Sequence, residues 1–301
     1  MKRQDINIRD PYVLVHENTY YLYGTRSQTT WTDAEGFDCY VSKDLEHWEG
    51  PIEIFKRSKD FFATQNFWAP EVYAYRDAFY MVTTLGAKDR NKGIYVLKAK
   101  QPTGPFELIS GCISPEEWSA IDGTLYFEDD VPYLIFSHSF ETSPDGHMCL
   151  LTLSDQLTEA ISQPVTLFSA ADAPWSQPIP FAKEEFGKDG DVYFTDGPSL
   201  FKDEHGKVLM LWSSWGQSGY AIGIARSESN SIHGPWTQLK SPIFSENGGH
   251  AMVFRDLTNQ LRMAYHFPND KYQERPQFAH LQFNNGSYHL DNHINSQESL
   301  L

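Results

Sequence analysis

The sequence predicts an all-β fold, a five-bladed β-propeller of four-stranded antiparallel blades around a central channel, and three observations carry the prediction. Five segments of the 301-residue chain share one plan: a small or acidic turn, a short alternating strand, a polar turn, then a strand rich in aromatic and branched residues. These segments recur at steps of 59, 53, 74 and 54 residues, counted from Asp10 through Ala69, Asp122 and Asp196 to His250; each step is long enough for one blade. Almost no stretch holds the 3.6-residue period of an amphipathic helix, whereas 20 Gly and 17 Pro punctuate short strand-like runs throughout.

Blade 1 opens with Arg9-Asp10-Pro11-Tyr12-Val13, turns at His16-Glu17-Asn18 and returns as Tyr20-Tyr21-Leu22-Tyr23. Its outer strands follow at Cys39-Tyr40-Val41-Ser42 and towards Trp48. Blade 2 pairs Trp68-Ala69-Pro70-Glu71-Val72 with Ala78-Phe79-Tyr80-Met81-Val82 and continues through Gly93-Ile94-Tyr95-Val96-Leu97. Blade 3 pairs Ile121-Asp122-Gly123-Thr124-Leu125 with Pro132-Tyr133-Leu134-Ile135-Phe136. Blade 4 pairs Asp196-Gly197-Pro198-Ser199-Leu200 with Val208-Leu209-Met210-Leu211-Trp212, and blade 5 pairs Gly249-His250-Ala251-Met252-Val253 with Leu261-Arg262-Met263-Ala264-Tyr265. Turn residues such as Asn, Asp and Gly sit between the paired runs, as hairpins require. The expected blades begin near residues 6, 67, 119, 193 and 248, and residues 1–301 read as a single catalytic domain. The stretch 169–193, with Trp175 and three prolines, accounts for the long step and reads as a loop inserted over one face. A sandwich of many short strands is the alternative.

Composition narrows the function. With 24 Lys and Arg against 40 Asp and Glu, the net charge is −16, and no basic run supplies the footprint that nucleic acid or an anionic membrane demands. No apolar segment approaches the ~20 residues of a membrane span, and the charged start, Met1-Lys2-Arg3-Gln4-Asp5, lacks a signal-peptide core. A cytoplasmic location is expected. Cys39, Cys112 and Cys149 are odd in number and far apart, which suits reduced thiols and neither a disulfide framework nor a zinc site. Eight Trp, 16 Tyr and 20 Phe offer flat faces that suit sugar rings.

In a propeller the first strand of each blade runs along the channel, so equivalent positions on those strands face one another. Three of the five positions are acidic, Asp10, Asp122 and Asp196; the fourth is His250, and only Ala69 is inert. Each Asp alone is an ordinary turn residue before Pro or Gly. Three in one frame crowd like charges and push their pKa values apart, an arrangement that serves acid/base chemistry better than folding. One ionised and one protonated carboxyl group across a pocket is the equipment of glycoside hydrolysis. Trp68, Phe67, Ile121 and Trp215 are the expected sugar contacts, with Trp31 and Trp175 in loops near the mouth; core packing is the alternative role for each aromatic.

The series Arg9-Asp10-Pro11, Phe67-Trp68-Ala69-Pro70-Glu71, Ile121-Asp122-Gly123, Asp196-Gly197-Pro198 and Gly249-His250 resembles glycoside hydrolase family 43 across the whole chain. The resemblance implies inverting hydrolysis of α-L-arabinofuranosides or β-D-xylosides of short oligosaccharides. By position it makes Asp10 the base, Asp122 the modulator of the acid's pKa, and Asp196 the acid. It also implies a Ca²⁺ in the central channel with His250 as ligand or near neighbour, and no organic cofactor. The family's acid is a Glu, so Asp196 carries its proton roughly one C–C bond, ~1.5 Å, further back. Asp196 is expected to have a raised pKa from burial and from Asp122, with Glu71 as the fallback acid. Rival readings are a retaining fructosidase-like hydrolase, whose Asn-Asp-Pro-Asn start and Glu-Cys pair are missing here, a sugar-binding propeller without turnover, and an interaction scaffold.

Overall fold

The computed structural model describes residues 1–203, 205–284 and 287–291; Glu204, Asn285, Gly286 and the last ten residues of the expected 1–301 domain lie outside the described residues. Among the described residues, twenty strands form five four-stranded antiparallel sheets, each built from consecutive strands. Blade 1 comprises β1 (Ile8–His16), β2 (Thr19–Arg26), β3 (Gly36–Ser42) and β4 (Trp48–Lys56), and blade 2 comprises β5 (Gln65–Tyr75), β6 (Ala78–Ala87), β7 (Arg90–Ala99) and β8 (Glu107–Leu108). Blade 3 holds β9 (Ala120–Glu128), β10 (Val131–His138), β11 (His147–Thr152) and β12 (Val165–Ser169). Blade 4 holds β13 (Asp196–Lys202), β14 (Val208–Gly216), β15 (Gly219–Ser227) and β16 (Trp236–Gln238). Blade 5 holds β17 (Gly249–Arg255), β18 (Leu261–Phe267), β19 (Arg275–Asn284) and β20 (Ser287–Asp291). The five-bladed propeller expected from the repeats is the fold observed.

Blades stack face to face, so a central strand buries both of its faces, and this explains the unbroken apolar runs. On β6, Met81 packs with blade 1 residues such as Phe37 and Ile54, while its neighbour Val82 packs with blade 3 residues Leu134 and Phe136. The pattern of five such interfaces continues to blade 5, which meets blade 1 through Met252, Phe254 and Ala264 against Ile8, Leu22 and Trp48. Fully buried side chains such as Met81 and Trp212 each contribute about 1.5–3 kcal/mol by leaving water. Among the described residues no strand is exchanged to close the ring. Arg3 instead donates from Nη1 to Pro276 O at 3.0 Å and to Gln277 Oε1 at 2.6 Å, and Asn7 Nδ2 donates to Glu274 O at 3.0 Å.

The inner strands share a bulge. Each ladder skips register immediately after Arg9, Trp68, Ile121, Asp196 and Gly249, which pair with Thr25, Thr84, Ser137, Ser213 and His266 on the second strands. The residue that follows is left-handed in every blade: Asp10, Ala69, Asp122, Gly197 and His250 have φ of 54°, 45°, 57°, 48° and 51°. Its N–H, turned out of the ladder, needs another acceptor. Four of the five find it on the second strand of the preceding blade: Ala69 N on Thr25 Oγ1 at 2.8 Å, Asp122 N on Thr84 Oγ1 at 2.9 Å, His250 N on Ser213 Oγ at 2.9 Å, and Asp10 N on His266 Nδ1 at 3.2 Å. In blade 4, Gly197 N donates instead to Asp122 Oδ2 at 3.1 Å.

This register corrects one sequence equivalence. Asp10, Ala69, Asp122 and His250 occupy one frame, but its blade 4 member is Gly197; Asp196 stands one residue earlier, in the frame of Arg9, Trp68, Ile121 and Gly249. The shared Pro after Asp10, Ala69 and Gly197 carries the true alignment. Between blades 3 and 4, the inserted stretch contributes the short helix α1 (Ala182–Phe186) and a small apolar cluster of Ile179, Ala182 and Val192 with Phe140, Phe181 and Phe194.

Candidate active site

The bulges aim three carboxylates and one imidazole at a common point. His250 Nδ1 lies 3.2 Å from Asp196 Oδ1, 3.4 Å from Asp10 Oδ1 and 3.8 Å from Asp122 Oδ2. Asp196 reaches the point from the preceding frame because Gly197, with no side chain, yields the space: a Cβ there would sit 2.8 Å from the His250 ring. The four groups line a cavity of about 540 Å³ whose wall includes Trp31, Trp68, Ile121, Phe181, Trp215 and Tyr220. Both charge and flat apolar surface are therefore present in one place, as sugar recognition and acid/base chemistry require.

Each carboxylate has a distinct environment. Asp10 accepts a hydrogen bond from Thr25 Oγ1 at 2.6 Å and faces Arg9 Nε at 3.4 Å. Burial pushes its pKa up, but the positive charges of His250 and Arg9 outweigh burial and hold it below the usual carboxylate range, so Asp10 is ionised. Arg9 is itself held by Glu274 Oε1 at 3.3 Å and lies over the Trp31 ring, 5.4 Å from its centroid. Asp122 is raised well above the carboxylate range, first by burial and then by the neighbouring charge of Asp196. Asp196 moves the other way: burial raises it, and hydrogen bonds with Asp122, His250 and Tyr220 outweigh that and lower it. The expected order is thus reversed, and the proton of this pair rests on Asp122, because the charge and hydrogen bond of His250, together with Tyr220 Oη donating to Asp196 Oδ2 at 2.6 Å, favour the Asp196 anion. His250 is lowered by burial but driven up to about 10 by Asp10, Asp122 and Asp196, which makes it an imidazolium balancing the cluster.

Of the expected sugar contacts, Trp68, Ile121 and Trp215 line the cavity, with Trp31 beside Trp68 at a ring separation of 5.4 Å. Phe67 does not. It is 3% exposed and packs with Phe37, Phe55 and Phe61, because strand alternation turns it away from the face that Trp68 presents. Trp175 is likewise core, its ring 4.6 Å from that of Trp212 and lying over Gly223, where a Cβ would come within 2.1 Å of it. The fallback acid Glu71 is buried, held by Tyr73, and absent from the cavity wall. Tyr220, Lys92, Glu141, Phe181 and Asn269 complete the wall and were not singled out by sequence. Lys92 pairs with Glu141 and lies 5.1 Å from the centroid of the Trp68 ring. Tyr220 had one legible signal: Gly249, whose missing Cβ would stand 2.2 Å from the Tyr220 ring, marks a close approach at a position other blades fill with a side chain.

Comparison with known proteins agrees with this geometry. A structure described as an endo-arabinase from Bacteroides thetaiotaomicron VPI-5482 superposes with a TM-score of 0.85 at 33% identity, covering 95% of this chain and 98% of that one. The extracellular exo-α-(1→5)-L-arabinofuranosidase ArbA of Cellvibrio japonicus (strain Ueda107) is 22% identical over 273 residues, 83% of this chain and 72% of that protein. A xylosidase/arabinosidase of Butyrivibrio fibrisolvens is 25% identical over 271 residues, 84% of this chain, which spans about half, 48%, of that relative. The model of the glycosyl hydrolases family 43 matches residues 5–286. Five blades, an acidic cluster at the channel and a family match over nearly the whole chain converge on one assignment: this chain belongs to glycosyl hydrolases family 43.

Proposed function

We propose that this glycosidase hydrolyses α-L-arabinofuranosyl or β-D-xylosyl linkages of short oligosaccharides with inversion, Asp10 serving as the base that activates water and Asp196 as the acid at the departing oxygen. The observation that carries the reading is the gathering of three carboxylates from blades 1, 3 and 4 about His250 at the aromatic-walled cavity. Asp10, ionised and fixed by Thr25, suits a base. Asp122, within hydrogen-bond reach of Asp196, supplies the proton store and orientation that an acid needs. The names of the relatives, an arabinofuranosidase and a xylosidase/arabinosidase, support the choice of sugars. A panel of aryl α-L-arabinofuranoside, β-D-xyloside, α-L-arabinopyranoside and β-D-galactoside, with product anomers followed by NMR, tests it. Turnover of the first two with inverted product is expected; retention of configuration, or turnover of the galactoside alone, overturns the proposal.

A second role for His250 belongs to the same proposal. Ligand atoms of His250, Asp122 and Asp196 lie within 4.8 Å of one another, and their carboxylate oxygens suit a hard cation such as Ca²⁺. Bound there, the ion would take over the balancing of the clustered carboxylates from the imidazolium, and His250, its Nδ1 proton released, would be its nitrogen ligand or near neighbour. Unchanged activity and melting temperature after exhaustive chelation, with no metal by elemental analysis, would remove the ion from the account.

A further inference from the structure

His266 is the exception among the residues that receive the left-handed N–H groups. Thr25, Thr84 and Ser213 do so with a hydroxyl, and the backbone bond demands nothing larger. His266 receives Asp10 N–H on Nδ1 at 3.2 Å, which leaves the proton of a neutral ring on Nε2. Nε2 lies 3.1 Å from Asn269 Oδ1. The tautomer is thus dictated at one end of the ring and delivered as a donor at the other. An amide whose oxygen is taken presents its NH₂ in the opposite sense, and Asn269 lines the cavity. The fully buried ring has no solvent competing for either nitrogen.

We infer that His266 is a positioning residue that couples the base to sugar recognition: it holds the backbone of Asp10 and turns the Asn269 amide so that its NH₂ donates to a hydroxyl of the bound glycoside. The inference rests on the proposed glycosidase reading. It names Asn269 as a specificity contact, and the partner it selects is a sugar hydroxyl able to accept a hydrogen bond at the rim beside Lys271. His266 also stacks on Tyr220, 5.6 Å between centroids, so a purely structural role for the ring is the competing explanation, and the test separates the two.

The experiment measures kcat and KM separately on whichever aryl glycoside the wild type hydrolyses, for Asn269→Ala, His266→Asn and the double variant. Asn at 266 keeps an acceptor near the place of Nδ1 and lacks the distal donor. Loss of one hydrogen bond to a neutral hydroxyl raises KM about 5- to 15-fold in Asn269→Ala, with kcat within about twofold. His266→Asn raises KM about 2- to 5-fold through the freed amide, and adds nothing further to KM in the Asn269→Ala background. An unchanged KM in Asn269→Ala overturns the inference, and so does a His266→Asn effect equally large with or without Asn269, which is the signature of ring packing alone. Because Asn269 stands at the rim, its variant reports even if His266→Asn fails to fold. If the wild type hydrolyses none of the four glycosides, the glycosidase reading falls; the same variants are then read by calorimetric Kd for arabino- and xylo-oligosaccharides, where an unchanged Kd in Asn269→Ala, or no binding by wild type, overturns the inference as well.

Discussion

Blades 2 and 3 meet through Thr84, whose hydroxyl receives Asp122 N–H; blades 3 and 4 offer the same geometry through Ser137, yet Gly197 N–H passes it by and donates to Asp122 Oδ2. Ser137 Oγ is left buried without a hydrogen-bond partner among the described residues. The two junctions have the same backbone, the same bulge and the same unpaired donor. They differ in that a carboxylate stands within reach of the second one. Asp122 Oδ2 takes the N–H in place of the hydroxyl, and the bond holds Asp122 towards blade 4, where it meets Asp196. The structural repeat is kept at four junctions and diverted at the one where the acid pair is assembled. Four bonds run to the second strand of the preceding blade, and the exception brings Asp122 and Asp196 together.

The contrast can be broken at several points. Replacing Asp10 by Asn removes the base while keeping the backbone N–H bond to His266, so turnover falls about 10²- to 10⁴-fold with the melting temperature nearly unchanged; near-normal turnover sinks the base assignment. Asp196→Asn slows natural disaccharides far more than activated aryl glycosides, because a good leaving group needs little protonation. Asp196→Glu sharpens the point. Tyr220 closes on the shorter Asp carboxylate at 2.6 Å, so the extra methylene overfills the site and lowers kcat by roughly tenfold or more; a gain in kcat shows a pocket still shaped for Glu.

Glu71 supplies the counterpart in blade 2, a carboxylate sealed away from the cavity. Burial raises its pKa from 4.5 to about 7, against the hydrogen bonds of Tyr73 and Thr124. The folded state therefore holds this proton more tightly than the unfolded chain, a contribution complete below pH 4.5 and lost as pH rises through 7. Relative to Glu71→Gln, wild type loses up to about 3 kcal/mol across that window, read from denaturant midpoints at several pH values. A constant difference contradicts the shift. The junctions themselves give the smallest effects. Thr84→Val orphans Asp122 N–H and costs about 1–3 kcal/mol, whereas Ser137→Ala removes an already unpaired hydroxyl and changes stability by less than about 0.5 kcal/mol. Equal costs at the two positions would show that Ser137 holds a bond of its own.

The five blades, the strands within them and three cavity residues, Trp68, Ile121 and Trp215, were legible in the sequence because they rest on local signals. Strand alternation, turn residues and a repeated strand pair are written within each stretch of the chain, and fivefold repetition turns weak local signals into one architecture. The family likeness drew on the same short motifs in the same order. The offset of Asp196 was not legible from its acidity. Aligning by charge put Asp196 with Asp10 and Asp122, whereas the backbone aligns Gly197 with them, since the left-handed bulge residue sets the frame. The inward turn of Phe67 followed the same rule, one residue's difference on a strand selecting the opposite face. Tyr220 reaches Asp196 from the third strand of the same blade, and His266, with Asn269 beyond it, reaches Asp10 only because ring closure brings blade 5 against blade 1. What a strand is depends on its neighbours in sequence; which carboxylate keeps the proton depends on which donors and charges the closed ring places within hydrogen-bond reach, and only the tertiary structure decides that.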